Sequence, residues 1–311
     1  MKIVIPGGSG QVGQILKRGL ALKGHEVVIV GRGTNVDARW NGRSAGPWTR
    51  HVDGADVVIN LAGRSVNCRY GDANRREIME SRVDSTHAVG DAIARAAKPP
   101  RLWLQASTAT IYAHRYDAAN DEQTGILGGD EPRVPDTWRF SIDVAKSWER
   151  ATMESSVPGT RVVRMRTAIV MSPDRGGPFD LLFTLARRGL GGTIGDGRQY
   201  VSWIHEHDLV RAVEWLIAHE ELEGAVNLAA PHPLPNRDFM RALREAAGRR
   251  IGLPASRPLL EIATFVMRTE SELMLKSRRV VPQRLVDSGF TFQYETWAEA
   301  ARELAARARQ R

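Results

Sequence analysis

The chain has 311 residues, enough for two ordinary domains or for one large α/β unit with an appended lobe, and either can bury a full core. With 42% hydrophobic and 26% charged residues, the composition is that of a soluble globular protein, and no polar low-complexity tract suggests a long disordered segment. The formal charge of +8 is scattered along predicted helices, with short groups only at LKSRR (275 to 279) and ARARQR (306 to 311), so it reads as a solvated surface and not as a nucleic-acid-binding stripe.

In chain order, KIVIP (2 to 6) reads as a strand, QVGQILKRGLALKG (11 to 24) as a helix and HEVVIVG (25 to 31) as a second strand. Pro6 and the glycines after it interrupt the apolar start too early for a secretory signal, so no export is expected. ADVVINLAG (55 to 63) is a further strand, and a long helix runs from about 72 to 97, closed by Pro99 and Pro100. The single cysteine, Cys68, excludes an intramolecular disulfide and a metal-thiolate cluster, which fits a reducing cytosol. RLWLQAST (101 to 108), FSIDVAKSWERAT (140 to 152) and GTRVVRMRTAIV (159 to 170) follow as strand, helix and strand. The alternation argues for an α/β, Rossmann-type doubly wound parallel sheet. After Val170 come a loop, the helix FDLLFTLARRG, a glycine-rich excursion from 189 to 209 that ends in a helix near Asp208, and the strand GAVNLAAP (224 to 231). Beyond Pro233 the pattern is mainly helical, with a short strand expected at GFTFQY (289 to 294). LLEIATFVM (259 to 267) falls short of the ~20 residues that cross a bilayer and reads as a core helix. The expected division is a nucleotide-binding domain over 1–173, rejoined by 204–231, and a smaller mixed lobe made of 174–203 and 232–311.

PGGSGQVG contains both G-x-G-x-x-G (Gly8, Gly10, Gly13) and G-x-x-G-x-x-G (Gly7, Gly10, Gly13). It follows a strand and opens a helix, the context in which a tight turn, close backbone approach and a helix N-terminus hold a pyrophosphate. Gly7, Gly8, Ser9, Gly10, Gln11, Val12 and Gly13 are therefore candidate cofactor residues. Where an acidic residue at the end of the second strand would bind the ribose of NAD, this chain has VIVGRG, and Arg32 suits a 2′-phosphate, so NADP (NADPH) is expected ahead of NAD. The alternative is an exposed loop arginine. NLAG (60 to 63) ends a strand on the same edge, where Leu61, Ala62 and Gly63 would let the backbone approach the adenosine half or simply pack strand against helix.

On PGGSGQVG, VINLAGRSV, SRVDSTHAVGDAI, FSIDVAKSWE, RMRTAIVMSPDRGG, GLGGTIGDGRQYVSWIHEHDL, GAVNLAAPHPLPNRDF and VVPQRLVDSGFTFQY, the chain resembles the extended short-chain dehydrogenases/reductases. More narrowly it resembles their atypical nucleoside-diphosphate-sugar epimerase-like branch, which carries a short C-terminal domain of unknown function. The resemblance runs from residue 2 to about 294. It implies a nicotinamide cofactor, a cleft between the lobes and a small-molecule or nucleotide-linked substrate. It places a substrate-holding hydroxyl on Thr108, with Ser107 beside it on the substrate side. Relatives often pair through helices corresponding to 72–97 and 140–152, which leaves a homodimer open.

The superfamily sets a tyrosine four residues before a lysine, one helical turn away, and here that pair is Ile142 and Lys146. The branch resembled shares this departure. Lys146 can still hold ribose hydroxyls, while the proton donor is absent or comes from elsewhere. Tyr112 is the first candidate to replace it, ahead of Tyr116, His114 and Asp143. Gln199, Trp203 and His205 can line a cleft with an amide, a flat apolar wall and an imidazole, or can pack the lobe. No His/Cys/Asp spacing suggests a metal site. The resulting expectation is an NADP-dependent oxidoreductase or epimerase of the cytoplasm, with no membrane or nucleic-acid partner. The rival is an NADP-binding sensor or scaffold without turnover.

Overall fold

The strand β1 (Lys2–Pro6) is apolar on both sides of its pleat because both faces of the sheet are covered: Ile3 and Ile5 point to one core, Val4 to the other. In the computed structural model, which describes residues 1–253 and 275–311, the chain continues through α1 (Gln11–Leu22), β2 (Glu26–Gly31) and the short β3 (Ala38–Arg39). After a 3₁₀ turn at Pro47–His51 come β4 (Val57–Asn60), α2 (Asp72–Ala94), β5 (Leu102–Thr108), α3 (Asp136–Glu154) and β6 (Arg161–Thr167). Next are β7 (Ile169–Met171), α4 (Pro178–Arg187), β8 (Tyr200–Val201), β9 (Trp203–His205) and α5 (Glu206–Ala218). The described chain ends with β10 (Gly224–Leu228), β11 (Leu234–Pro235), α6 (Asn236–Ala246), α7 (Gln283–Asp287) and α8 (Trp297–Arg309).

Seven strands form one parallel sheet in the order β10-β6-β5-β4-β1-β2-β3. The chain winds one way from β1 to β3 and the other way from β4, so the switch point lies between β1 and β4. A crevice opens beyond the C-terminal ends of strands at such a point. Helices α1 and α5 cover one face over Ile3, Ile29, Ile59 and Leu104, whereas α2 covers the other over Val4, Val28, Val58 and Trp103. A second core joins Phe179 and Phe183 of α4, Trp203 of β9, Phe239 and Leu243 of α6 and Trp297 and Leu304 of α8. Removing an aromatic of this kind costs about 3 to 5 kcal/mol, so Trp297, packed on Phe239 at 4.1 Å and Trp203 at 5.1 Å, anchors α8.

The strand expected at 289–294 is not formed. The backbone N–H groups of Gln293 and Tyr294 donate instead to the two carboxylate oxygens of buried Asp208, each at 2.8 Å, which takes the donors a sheet neighbour would need. The core helix expected at 259–267 lies outside the described residues. Among the described residues no helix is long and apolar enough to cross a membrane, and no His/Cys/Asp/Glu group could hold a metal ion.

Candidate functional site

The turn from β1 into α1 is built from glycines for two different reasons. Gly7 has φ +78, and a β-carbon there would come 2.4 Å from the Ala62 backbone nitrogen; one on Gly13 would come 2.3 Å from the Gly8 carbonyl oxygen. These two let the loop, the β4 end and α1 close on one another. A β-carbon on Gly10 would meet nothing nearer than 3.7 Å, so the protein itself does not need glycine there. What needs it is the open space in front of the helix. α1 has no side-chain N-cap, and its first intrahelical bond is from Gln14 to Gly10, leaving the N–H groups of Gln11, Val12 and Gly13 for an incoming anion. The Nε2 of Gln11 is buried without an acceptor among the described residues. That nitrogen lies against Gly177, away from the cavity, so the donors that fit a diphosphate are the free backbone N–H groups at the positive helix end, beside an uncluttered glycine.

In front of this turn lies a cavity of about 500 Å³, walled by Gly7, Ser9 and Gly10 on one side and by Leu61, Ala62 and Gly63 on the other. Gly8, Gln11, Val12 and Gly13 do not line it. Arg32, at the end of β2, lines the cavity and makes no hydrogen bond or ion pair among the described residues. Two further arginines line it: Arg43, 3.4 Å from Glu80 on α2, and Arg64, which pairs with Glu77 and donates to Asn74 at 2.7 Å. Trp40 forms a flat wall, fixed by its N–H bond to the Ser44 carbonyl and by Trp48 at 4.6 Å. Trp40, Asn41, Arg43 and Arg64 were missed by the sequence reading because they sit in aperiodic loops; the cluster of aromatic, amide and arginine in ARWNGR was the available signal.

A second cavity, about 320 Å³, is lined by Gly129, Asp130, Glu131, Arg139, Asp143 and Lys146. Helix α3 projects Lys146 into it, and the ammonium makes no hydrogen bond or ion pair among the described residues. Ile142, one turn earlier, is fully buried: a β-carbon on Gly128 would come 2.9 Å from its Cδ1. The loop over it is held by Glu131, whose carboxylate accepts from the backbone N–H groups of Gly129 and His114. Those backbone bonds hold the Glu131 carboxyl below its ordinary value against the raising effect of burial. The loop therefore covers the space a phenol at position 142 would need.

Thr108 is half-buried at the end of β5, its Oγ1 accepting from Thr110 N–H at 3.2 Å. Ser107 is buried and donates to Glu149 at 2.7 Å. Glu149 also takes a bidentate pair from Arg166 (2.8 Å each), Arg166 donates to the Tyr112 hydroxyl at 2.9 Å, and that hydroxyl donates to Asn227 Oδ1 at 2.9 Å. Tyr112 is thus held inside a buried polar chain beneath the strand ends, and burial, opposed by Arg166, raises its pKa. Of the other acids considered, His114 is wedged against Trp138 at 4.6 Å with Nδ1 accepting from Ser277, Tyr116 is exposed, and Asp143 lines the cavity beside Lys146. The 199–205 stretch goes to lobe packing: Gln199 is buried with its amide on the Ile194 carbonyl, Trp203 lies in the second core, and His205 is buried on Glu303 at 2.9 Å. Their surfaces are spent on neighbours inside the protein, a placement that sequence spacing does not distinguish from a cleft wall.

Residues 3–229 match the model of the NAD dependent epimerase/dehydratase family. The chain belongs to that family. Residues 257–304 match a domain of unknown function, DUF1731, that follows it. The epimerase/dehydratase chain is similar to the human epimerase family protein SDR39U1, 28% identical over 98% of this chain and 100% of that one. It is similar also to an epimerase family protein of Mycobacterium leprae, 30% identical over 96% of this chain and 94% of that one. Among solved structures, human SDR39U1 with NADPH superposes with a TM-score of 0.85 at 27% identity, covering 98% of this chain and 99% of that chain. A Corynebacterium glutamicum nucleoside-diphosphate sugar epimerase superposes at 0.76 with 30% identity, covering 98% of this chain and 58% of that one.

Proposed function

We propose that this epimerase/dehydratase family member binds NADP and acts as an oxidoreductase or epimerase on a small or nucleotide-linked substrate. The observation that carries the reading is one cavity holding the glycine turn, the exposed N-terminus of α1 and Arg32 without a carboxylate partner. An acidic residue at position 32 would repel a 2′-phosphate; a guanidinium attracts it and can bind it in bidentate fashion. The NADPH in the human SDR39U1 structure supports the same choice.

Gly7 to Gly13 hold the diphosphate, Arg32 the 2′-phosphate, and Leu61 to Gly63 the adenosine side, while Lys146 holds nicotinamide ribose hydroxyls. The nicotinamide, when bound, supplies the hydride chemistry. Thr108 donates its hydroxyl proton in a hydrogen bond to the substrate oxygen, since its Oγ1 is engaged locally only as an acceptor. With Ile142 buried and the Tyr112 hydroxyl engaged by Arg166 and Asn227, a second reading has its own support: an NADP-dependent sensor without turnover.

Calorimetric titration tests the cofactor assignment. NADPH should bind more tightly than NADH, and Arg32→Ala should weaken NADPH by about 1.5 to 3 kcal/mol, the range for a hydrogen bond to a charged group, with NADH little changed. Equal affinities for both dinucleotides in the wild type would end the argument from Arg32. Turnover with nucleotide-linked sugars under NADPH then separates the enzyme from the sensor.

A further inference from the structure

The stretch that matches the domain of unknown function includes a strap, residues 276–281, which lies across the loop following β5. Its backbone is bonded on both sides. The Arg279 carbonyl and the Val281 N–H pair with Asn120, while the Arg278 N–H donates to the Tyr200 carbonyl at 2.8 Å and the Val280 N–H to Ser202 Oγ at 2.9 Å. The strap is therefore fixed between that loop and β8, and its side chains have set directions.

Two of those side chains are buried cations that meet one residue. Lys276 Nζ donates to the Thr110 carbonyl at 2.7 Å, and Arg278 Nε donates to Thr110 Oγ1 at 3.1 Å. The Thr110 N–H in turn donates to Thr108 Oγ1 at 3.2 Å, so the Arg278 guanidinium stands two hydrogen bonds from that hydroxyl. Neutral donors would make the same bonds; charged ones also polarise what they meet. His114, on the same loop, registers the field: burial first, then Lys276, with Arg278 in the same sense, holds its pKa below the ordinary value against Glu131 and Asp196. A second chain of bonds reaches the residue before Thr108. The Val281 carbonyl accepts from Asn227 Nδ2 at 2.9 Å, and Asn227 leads through Tyr112, Arg166 and Glu149 to Ser107. The charges on that route are Arg166 and Glu149 in their bidentate pair, with Arg164 3.5 Å from the same carboxylate. Both routes from the strap end on the Ser107 and Thr108 pair at the close of β5.

We propose that this strap is the part of the C-terminal domain that completes the reaction site, with Arg278 as a positioning residue for Thr108. Acting through Thr110, it holds Thr108 Oγ1 on its acceptor side, which leaves the hydroxyl proton to face a substrate oxygen. It also sets positive charge two hydrogen bonds from the group that supports developing negative charge on that oxygen. A phenol beside Lys146 would supply such a pull directly; Ile142 has none to give. The proposal rests on the reading of Thr108 given above.

Cys68 is the chain's single cysteine, so Cys68→Ser combined with Thr108→Cys leaves one thiol at the site as a reporter of charge. Its pKa is read from the pH dependence of alkylation by iodoacetamide in the ligand-free full chain, with Arg278 intact, as Arg278→Lys and as Arg278→Gln. With the strap intact the thiol should titrate below the ordinary value of about 8.5. Arg278→Gln, which keeps a hydrogen-bond donor without the charge, should raise it by about 1 to 2 units, the effect of one charge at that separation and an effective dielectric near 20. Arg278→Lys should leave it low. In chains that keep Thr108, calorimetry should find the same NADPH affinity with Arg278 and with Arg278→Gln. A thiol that titrates at or above about 8.5 with the strap intact overturns the proposal without any strap variant, so a failure of Arg278→Gln to fold does not shield it. An equal rise in both variants also overturns it, as does none in Arg278→Gln. A lowered melting temperature with the thiol unmoved makes the strap a packing element, and weakened NADPH with the thiol unmoved makes Arg278 a cofactor contact instead. Turnover that survives Thr108→Val ends the reading of Thr108, and this proposal with it, whatever the thiol does.

Discussion

Lys146 reaches the smaller cavity with its charge uncommitted among the described residues, while the position one turn before it is sealed by a loop. In a helix that presented a phenol there, the lysine would have two tasks, holding a ribose and lowering the phenol's pKa through its positive charge. Ile142 has no proton to tune, so only the first task is left. Lys146→Met should therefore weaken NADPH by about 1.5 to 3 kcal/mol in a fluorescence or calorimetric titration, the range for a charge-assisted hydrogen bond. The fold should survive, since the ammonium makes no hydrogen bond or ion pair among the described residues. If NADPH affinity does not move, the ribose role fails and Lys146 is a lysine of the solvated helix surface. Tyr112 illustrates the opposite condition. Its hydroxyl is engaged as both donor and acceptor, and burial pushes its titration further from neutrality, so it is poorly placed to move a proton at pH 7.

Helix α3 carries two chemistries along its length: Lys146 lines the smaller cavity, and Glu149 fastens the helix to the strand ends through Ser107 and Arg166. Arg166 sits on β6, Ser107 on β5 and Asn227 on β10, so a single buried carboxylate ties one helix to three strands by way of Tyr112. Breaking a buried pair from one side leaves the other charge uncompensated. Glu149→Gln should accordingly cost about 3 to 5 kcal/mol of stability in urea unfolding, more than the ordinary surface substitution. A loss below about 1 kcal/mol would mean that Arg164, 3.5 Å from Glu149, and water share the charge more widely than the geometry suggests. This network also marks the limit of what sequence could reveal. The parallel sheet was legible because buried strands and amphipathic helices leave local periodic signals, and the glycine turn because its spacing is tied to a strand before and a helix after. The direction of a side chain is not local: Tyr112, Glu149 and Arg166 meet across 54 residues of chain, and the expected strand near Phe290 is lost to a carboxylate 85 residues away. Likewise Arg43 and Arg64 come from loops whose course depends on tertiary contacts, so nothing in their spacing placed them beside Arg32.

At the scale of the whole molecule, the sheet and the second core are joined at the stretch 203–208, where β9 runs into α5 and meets α8. His205 is fully buried there, stacked at 3.9 Å on Tyr294, with Nδ1 accepting from the His207 backbone N–H at 3.1 Å and Nε2 facing Glu303 at 2.9 Å. An Nδ1 that accepts cannot carry a proton, so the neutral Nε2–H form satisfies both contacts. Burial pulls the folded-state pKa of His205 down to about 4; Glu303 opposes the shift, while His207 and Arg307 add to it. Glu206 and Asp208 are the remaining charged groups on this turn, committed to Arg307 and to Arg211 with the 293–294 backbone. The sign of the linkage follows: the unfolded chain takes up this proton near pH 6.5 and the folded chain only near pH 4, so the contribution of neutral His205 is fully present above about pH 6.5 and is lost as pH falls toward 4. Over that window one proton difference contributes a slope of at most about 1.4 kcal/mol per pH unit. Thermal unfolding of the ligand-free protein should show a melting temperature that is level just above pH 6.5 and declines between pH 6.5 and 4. His205→Gln, which keeps a donor toward Glu303 but cannot titrate, should start lower and decline less steeply. An equal slope in the variant would move the acid sensitivity to other groups and leave His205 a packing residue. A shallower one would identify the joint between the two cores as the place where acid first loosens the molecule.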